Sequence, residues 1–181
     1  MLFRSLALLA LDVLQGTTGW NAAPAVFALA AVAAAVQAER LRRWHPWRTA
    51  RVPLVWVLHV AYAWIPVHLA LRAGAAAGAW GMGPALHALT VGAIGTLTLA
   101  MMTRSARGHT GRTLKADRVD VTVYAAVTLA ALLRVGLPLL WPAALPAAAL
   151  ASAAAWCAAF VLFAIHYGPW LCRPRLDGRP G

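Results

Sequence analysis

The chain has 181 residues, 62% of them hydrophobic and only 12% charged, with a formal net charge of +11. Soluble domains are about half apolar and about a quarter charged, so this composition excludes a soluble globular domain, whose surface so few charges could not cover. The positive charge would suggest nucleic acid in a soluble protein, but its distribution argues for a lipid bilayer and against a nucleic-acid partner. Arg40, Arg42, Arg43, Arg48 and Arg51 form one cluster; Arg104, Arg107, Arg112, Lys115 and Arg118 form a second; Arg173, Arg175 and Arg179 form a third. Between them lie apolar runs of roughly 17–25 residues, the length that crosses a ~30 Å hydrocarbon core. Clusters separated by pairs of spans fall on one side of the membrane, the cytoplasmic one by the positive-inside rule.

Six spans follow in chain order, at residues 2–18, 23–41, 52–73, 84–104, 119–141 and 145–171. The expected fold is an all-α, polytopic transmembrane helix bundle. Residues 1–172 form a single membrane domain, 173–181 a basic cytoplasmic tail, and both termini are cytoplasmic. The first span imitates a secretory signal, with Arg4 before LALLAL, but Asp12 interrupts it and no small-x-small site follows. The second span is rich in alanine. The connections at 16–22, 74–83 and 142–145 carry Gly, Pro and Trp but no charge, as outward turns do. Pro24, Pro84 and Pro146 stand where a first helical turn tolerates them. Cys157 and Cys172 lie at different levels of the last span, so no disulfide framework is expected, and the absence of CxxCH excludes covalent c-type haem attachment.

The histidines carry the chemistry. HALTVGAIGTLTLAMMTRSARGHTGR, residues 87–112, opens on His87 and reaches His109. A helix of 22 residues rises about 33 Å, so these imidazoles lie near opposite faces and share a metal only if the loop after Gly108 folds deeply back; two separate sites, or one site and one loop residue, is the simpler reading. At ~100° per residue, Thr98, Met101, Met102 and Ser105 lie within about 60° of the His87 direction. Gly92 and Gly95 allow a neighbouring helix to come close. The strip reads either as a plain interhelical face or as one wall of a site, and the histidine favours the site. His59 and His68, nine residues apart, point to opposite faces of the third span. His59 shares its face with Tyr62 and Pro66, whereas His68 lies near Trp64 and Arg72. Intramembrane histidines are costly unless partnered, and matching their levels gives two pairs: His68 with His87 on the outer side, His59 with His166 on the inner. Such pairs suit a bis-histidine haem, a copper site with Met101 or Met102 as soft ligand, or proton relay. Asp12 and Arg134 form a candidate ion pair locking spans one and five. His45, in RRWHPWR, reads as interfacial beside an aromatic belt.

The 87–112 run, preceded by PLVWVLHVAYAWIP at 53–66, resembles the NnrS family of bacterial inner-membrane proteins, most strongly over residues 44–118. The resemblance implies a multi-pass protein of the bacterial cytoplasmic membrane that contains haem and copper and belongs to the nitric oxide response. Denitrification, resistance to nitrosative stress, and nitric oxide or another small diatomic as partner go with it. The motif histidines here are His59, His87 and His109, accompanied by Tyr62, Trp64, Thr90, Met102, Thr103, Arg104, Gly108, Thr110, Gly111 and Arg112. His68 is not among them. Family members are about twice this length, and the chain resembles their carboxyl-terminal half. It reads as a half-size homologue, one part of a split protein, or a truncated product, and a homodimer or a separate N-terminal half would restore a full bundle. The expectation is non-covalent, b-type haem bound through His87 and His59, at depths different enough to serve different metals, with copper as a second cofactor. Tyr62 belongs to the same site, Thr90 and Thr98 are candidate orienting hydroxyls, and Met102, His68 and His166 are further metal candidates. His109 with Arg112 would hold a propionate or another anion in a Gly-flanked loop, or else form a plain solvated connection. The competing classes are a proton- or solute-translocating subunit using the histidines, and a non-catalytic subunit or gene fragment.

Overall fold

A computed structural model describes residues 21–178 together with 7, 8, 10, 11, 13 and 17. Five helices are long and apolar enough to cross a bilayer: α1 (Ala23–Arg43), α2 (Pro53–Ala76), α3 (Gly83–His109), α4 (Arg118–Leu140) and α5 (Leu145–Leu171). No strand occurs among the described residues. The expected span at 2–18, with Asp12 and so the Asp12–Arg134 pair, lies outside the described residues apart from scattered positions. Pro24, Pro84 and Pro146 stand in the first turns of α1, α3 and α5, where the missing N–H costs no intrahelical bond. The chain is thus an all-helical membrane protein.

Its surface is the inverse of a soluble protein's. Leu140 is 87% exposed, Leu150 75% and Ile165 68%. Buried positions are dominated by small residues: Ala30, Ala33 and Ala73 between α1 and α2, Ala85, Ala88, Ala93 and Ala131 where α3 and α4 meet α2, and Ala130, Ala148 and Ala159 on α4 and α5. In lipid no water is expelled between helices, so close backbone approach and interhelical hydrogen bonds hold the bundle instead. Ser152 of α5 supplies one, donating to the Ala130 carbonyl of α4 at 2.8 Å. The helices pair as α1 with α2 and α4 with α5, and α3 wedges between the two hairpins.

The cations collect at one end of this bundle, in the α1–α2 and α3–α4 connections and after α5. The connections at the other end, 77–82 and 141–144, carry no charge. We call the two ends the basic end and the uncharged end. Helix α3 overruns its expected limit at 104 and ends at His109, where the chain must reverse. Gly111 takes φ +70, the Gly111 N–H donates to the Gly108 carbonyl at 3.2 Å and the Arg112 N–H to the Arg107 carbonyl at 2.9 Å. That is a Schellman closure, and the left-handed residue it needs explains the second glycine of GHTG.

The middle of α3 departs from ideal geometry. Residues Ala88–Gly95 form a π-helical segment, with α-helix on both sides. Such segments are rare and concentrate at functional sites. Each residue there turns the chain by less than the ~100° of an α-helix, so the expected strip from His87 through Thr98 to Ser105 is not one face. His87 borders a chamber between α3 and α4, whereas Thr98, Met101 and Ser105 are exposed and Met102 packs against the core around Tyr124.

Candidate functional site

Three regions hold the chemistry-bearing side chains. The first is a chamber of about 520 Å³ at the uncharged end, with His87 of α3 and Arg134 of α4 in its wall. Trp80 closes one side. Its indole N–H donates to the Leu71 carbonyl at 2.8 Å, and its ring lies so close to Gly74 that a Cβ there would stand 2.2 Å from it. The remaining walls are apolar, among them Pro84, Pro138, Leu139 and Leu145. His87 makes no hydrogen bond among the described residues, which leaves both ring nitrogens available.

His68 sits beside this chamber rather than in its wall. Its Nδ1 lies 2.7 Å from the Ala85 carbonyl, two residues before His87. A carbonyl only accepts, so Nδ1 carries the proton and Nε2 keeps its lone pair. This is the tautomer that a metal-ligating imidazole adopts, with its N–H anchored to a fixed acceptor. The outer pair of histidines is therefore brought to the same level of the bundle.

The second region is a groove of about 610 Å³ between α2 and α3, lined by His59, Tyr62, Trp44 and Met101. It shares no lining residue with the chamber, so the two principal motif histidines serve separate spaces. His59 Nδ1 is 3.3 Å from Thr49 Oγ1, and that hydroxyl donates to the Pro46 carbonyl at 2.7 Å. The hydroxyl proton being spent, His59 Nδ1–H is the donor and Nε2 is left bare. Tyr62 donates to Gln37 Oε1 of α1 at 2.6 Å, and Trp44 packs on Tyr62 with ring centroids 4.7 Å apart. Pro46 and Thr49 belong to a single 3₁₀ turn entered through His45 in the left-handed conformation, φ 53. Residues 44–49, Trp44 and Thr49 above all, thus orient His59. Met101, not Met102, faces this groove.

A third region at the basic end was not foreseen as a unit. Arg107 is 5% exposed, and its guanidinium donates to Asp120 at 2.6 Å, Asp117 at 2.7 Å and the Tyr167 hydroxyl at 3.0 Å. Tyr167 in turn donates to the other Asp120 oxygen at 2.5 Å, and His166 Nε2 lies 3.0 Å from Asp117. Arg107 and Arg112 lie over the Trp170 ring, at 5.3 and 4.2 Å. Asp117 caps α4, accepting from the Val119 and Asp120 N–H groups, while Asp120 reaches back to the Asp117 N–H. Burial pushes the Asp117 carboxyl up, but the Asp120 backbone hydrogen bond and the charges of His166 and Arg107 outweigh it and hold the group below the usual carboxylate range. Asp117, Asp120 and His166 are close enough to bind a cation together. Arg107 already supplies the positive charge to both carboxylates, so the cluster reads as a lock among α3, α4 and α5.

The signal for this lock was present as Asp117-x-x-Asp120, a capping pattern at the entrance to an apolar helix. The chain has five acidic residues in all, so two of them three apart stand out. His166 is committed to Asp117 and to the Tyr167 and Trp170 rings, and none of these partners touches His59. The expected inner pair is not assembled. His109 is exposed, and Arg112 is turned onto Trp170 rather than toward it. The segment after α5 folds back on this turn, with the Leu176 N–H donating to the Thr110 carbonyl at 3.2 Å. Thr90 donates to the Leu86 carbonyl at 2.9 Å and is exposed. Sequence reasoning passed over Thr96, a fully buried residue at the exit of the π-helical segment whose hydroxyl has no hydrogen-bond partner among the described residues.

No curated protein and no solved structure matches the chain. A family model described as NnrS protein matches residues 1–175, which takes in the flanking helices as well as the motif-bearing centre. With the match running over nearly its whole length, the chain belongs to the NnrS family.

Proposed function

We propose that this protein is a multi-pass haem protein of the bacterial cytoplasmic membrane, acting in the response to nitric oxide and nitrosative stress. The observation that carries the reading is the pair of apolar cavities, each with one motif imidazole in its wall. Volumes of about 520 and 610 Å³ lie within the range of small-molecule cofactor sites, ~300–1,000 Å³. The donor sets fit the group. His87 is free of hydrogen bonds among the described residues, and His59 keeps its Nε2 lone pair because Thr49 anchors the other nitrogen. Haem, when bound, supplies a redox-active iron that binds small diatomic ligands.

The chain's own residues position and insulate. Thr49 and Trp44 orient the His59 ring, and Tyr62 is held by Gln37 at the groove margin. Trp80, Pro138 and Leu139 exclude water around His87. Haem is assigned to the His87 chamber first, because it presents a cation, Arg134, beside the imidazole. The His59 groove, with the Met101 thioether in its wall, suits a second haem or a copper ion, since imidazole with thioether selects soft metals. Residues 1–172 act as one membrane domain with the basic end in the cytoplasm, and a second copy or a separate N-terminal half completes the bundle.

The test is an optical spectrum of the detergent-purified protein, oxidised and dithionite-reduced, with metal analysis. His87→Ala is expected to abolish the Soret absorbance of the chamber haem. His59→Ala is expected to remove a second component or the copper. A colourless protein expressed with ample haem would overturn the reading.

A further inference from the structure

We propose that Arg134 is the counter-ion of a haem propionate in the chamber at the uncharged end, so that α3 supplies the imidazole and α4 the guanidinium for one ligand. The proposal rests on the reading that His87 holds haem. Arg134 stands six residues before the end of α4, about 9 Å inside the bundle, and it borders the same cavity as His87. A guanidinium at membrane depth is costly unless an anion meets it.

The described acidic residues are all engaged elsewhere. Glu39 pairs with Arg42 and Arg43, Asp117 and Asp120 with Arg107, and Asp177 with Arg175, every one at the basic end. Arg134 makes no ion pair among the described residues. The cavity beside it is much larger than a diatomic or a small inorganic anion requires, and its walls at Trp80, Pro84, Pro138 and Leu139 are apolar. An apolar volume with one imidazole and one guanidinium matches a ligand with a hydrophobic body, a metal and a carboxylate. Haem has all three, and arginine forks onto carboxylates through paired N–H donors.

The experiment compares haem with its dimethyl ester, whose propionates are uncharged, as ligands for apoprotein in detergent, read by Soret absorbance. Wild type is expected to prefer the free acid about tenfold, or ~1.4 kcal/mol. Arg134→Gln is expected to erase that preference while the spectrum that His87 confers persists, and Arg134→Lys to keep part of it. Should Arg134→Gln not fold, the wild-type comparison and Arg134→Lys carry the test. Equal wild-type affinity for acid and ester would overturn the role of Arg134, leaving it a side chain that snorkels to the interface, with haem ligation by His87 untouched. If wild type binds neither compound, or His87→Ala binds both as well as wild type, the haem reading itself falls and takes the proposal with it.

Discussion

At the scale of single residues, the basic end shows how few charges organise a membrane bundle. Arg107 satisfies two carboxylates and a phenol from two other helices. Removing one member of such a buried set costs roughly 3–5 kcal/mol, because its partners are left charged and uncompensated. Asp117 is the member open to titration. Its pKa is lowered in the folded state, so its stabilising contribution is fully present above the unfolded value of about 3.9 and is lost as pH falls below it. The midpoint of thermal unfolding in detergent should therefore be flat from pH 7 to about 5 and drop toward pH 3. Asp117→Asn keeps an N-cap acceptor but removes the charge, and should flatten that drop. An unchanged acid profile in Asp117→Asn would show that the lock does not depend on this carboxylate.

At the scale of elements, α3 is the helix that joins the two hairpins, packing on α2, α4 and α5. Its π-helical segment sets two glycines opposite tryptophans. A Cβ at Gly92 would stand 2.4 Å from the Trp64 ring of α2, and one at Gly95 would stand 2.2 Å from the Trp156 ring of α5. No methyl fits at either distance. Gly92→Ala is expected to destabilise by ~1–3 kcal/mol, the usual cost of overpacking, with a lower melting temperature in detergent. Trp64→Leu in the same chain should recover part of the loss, whereas Gly108→Ala, where a Cβ meets nothing within 4 Å, should be near neutral. If Gly92→Ala melts like wild type, the close approach of α2 is not what this glycine serves.

At the scale of the whole molecule, the proposed orientation puts every cation cluster in the cytoplasm and the His87 chamber toward the outside. The two cysteines test it without new labels. Cys172, just after α5, is exposed at the basic end, and Cys157, about 18 Å along α5 from the uncharged end, is exposed on the bundle surface. A membrane-impermeant maleimide should label Cys172 in inside-out vesicles and not in right-side-out cells, and Cys157 in neither, because its surroundings are lipid. Labelling of Cys172 from outside would invert the topology.

Much of the fold was legible in one dimension, because a bilayer imposes its thickness on every span and its charge asymmetry on every connection. The spans expected from 23–41 onward match α1 to α5 to within a few residues. The separation of His59 from His87 was legible too, since helical rise alone places them at different depths. The faces of α3 were not. A strip at 100° per residue presumes an uninterrupted α-helix, and no local pattern in ALTVGAIG announces the π-helical segment, after which Met101 lines the groove with His59 and the Thr96 hydroxyl has no partner among the described residues. Nor could spacing join His166 to Asp117 and Asp120, or Arg107 to Tyr167, because those residues meet only when three helices converge at the basic end. Composition and period determined that the chain enters a membrane, how often it can cross, and which side chains carry chemistry. Which of those side chains share a cavity was decided by tertiary packing, since the contacts come from helices far apart in sequence and from small residues that let them approach.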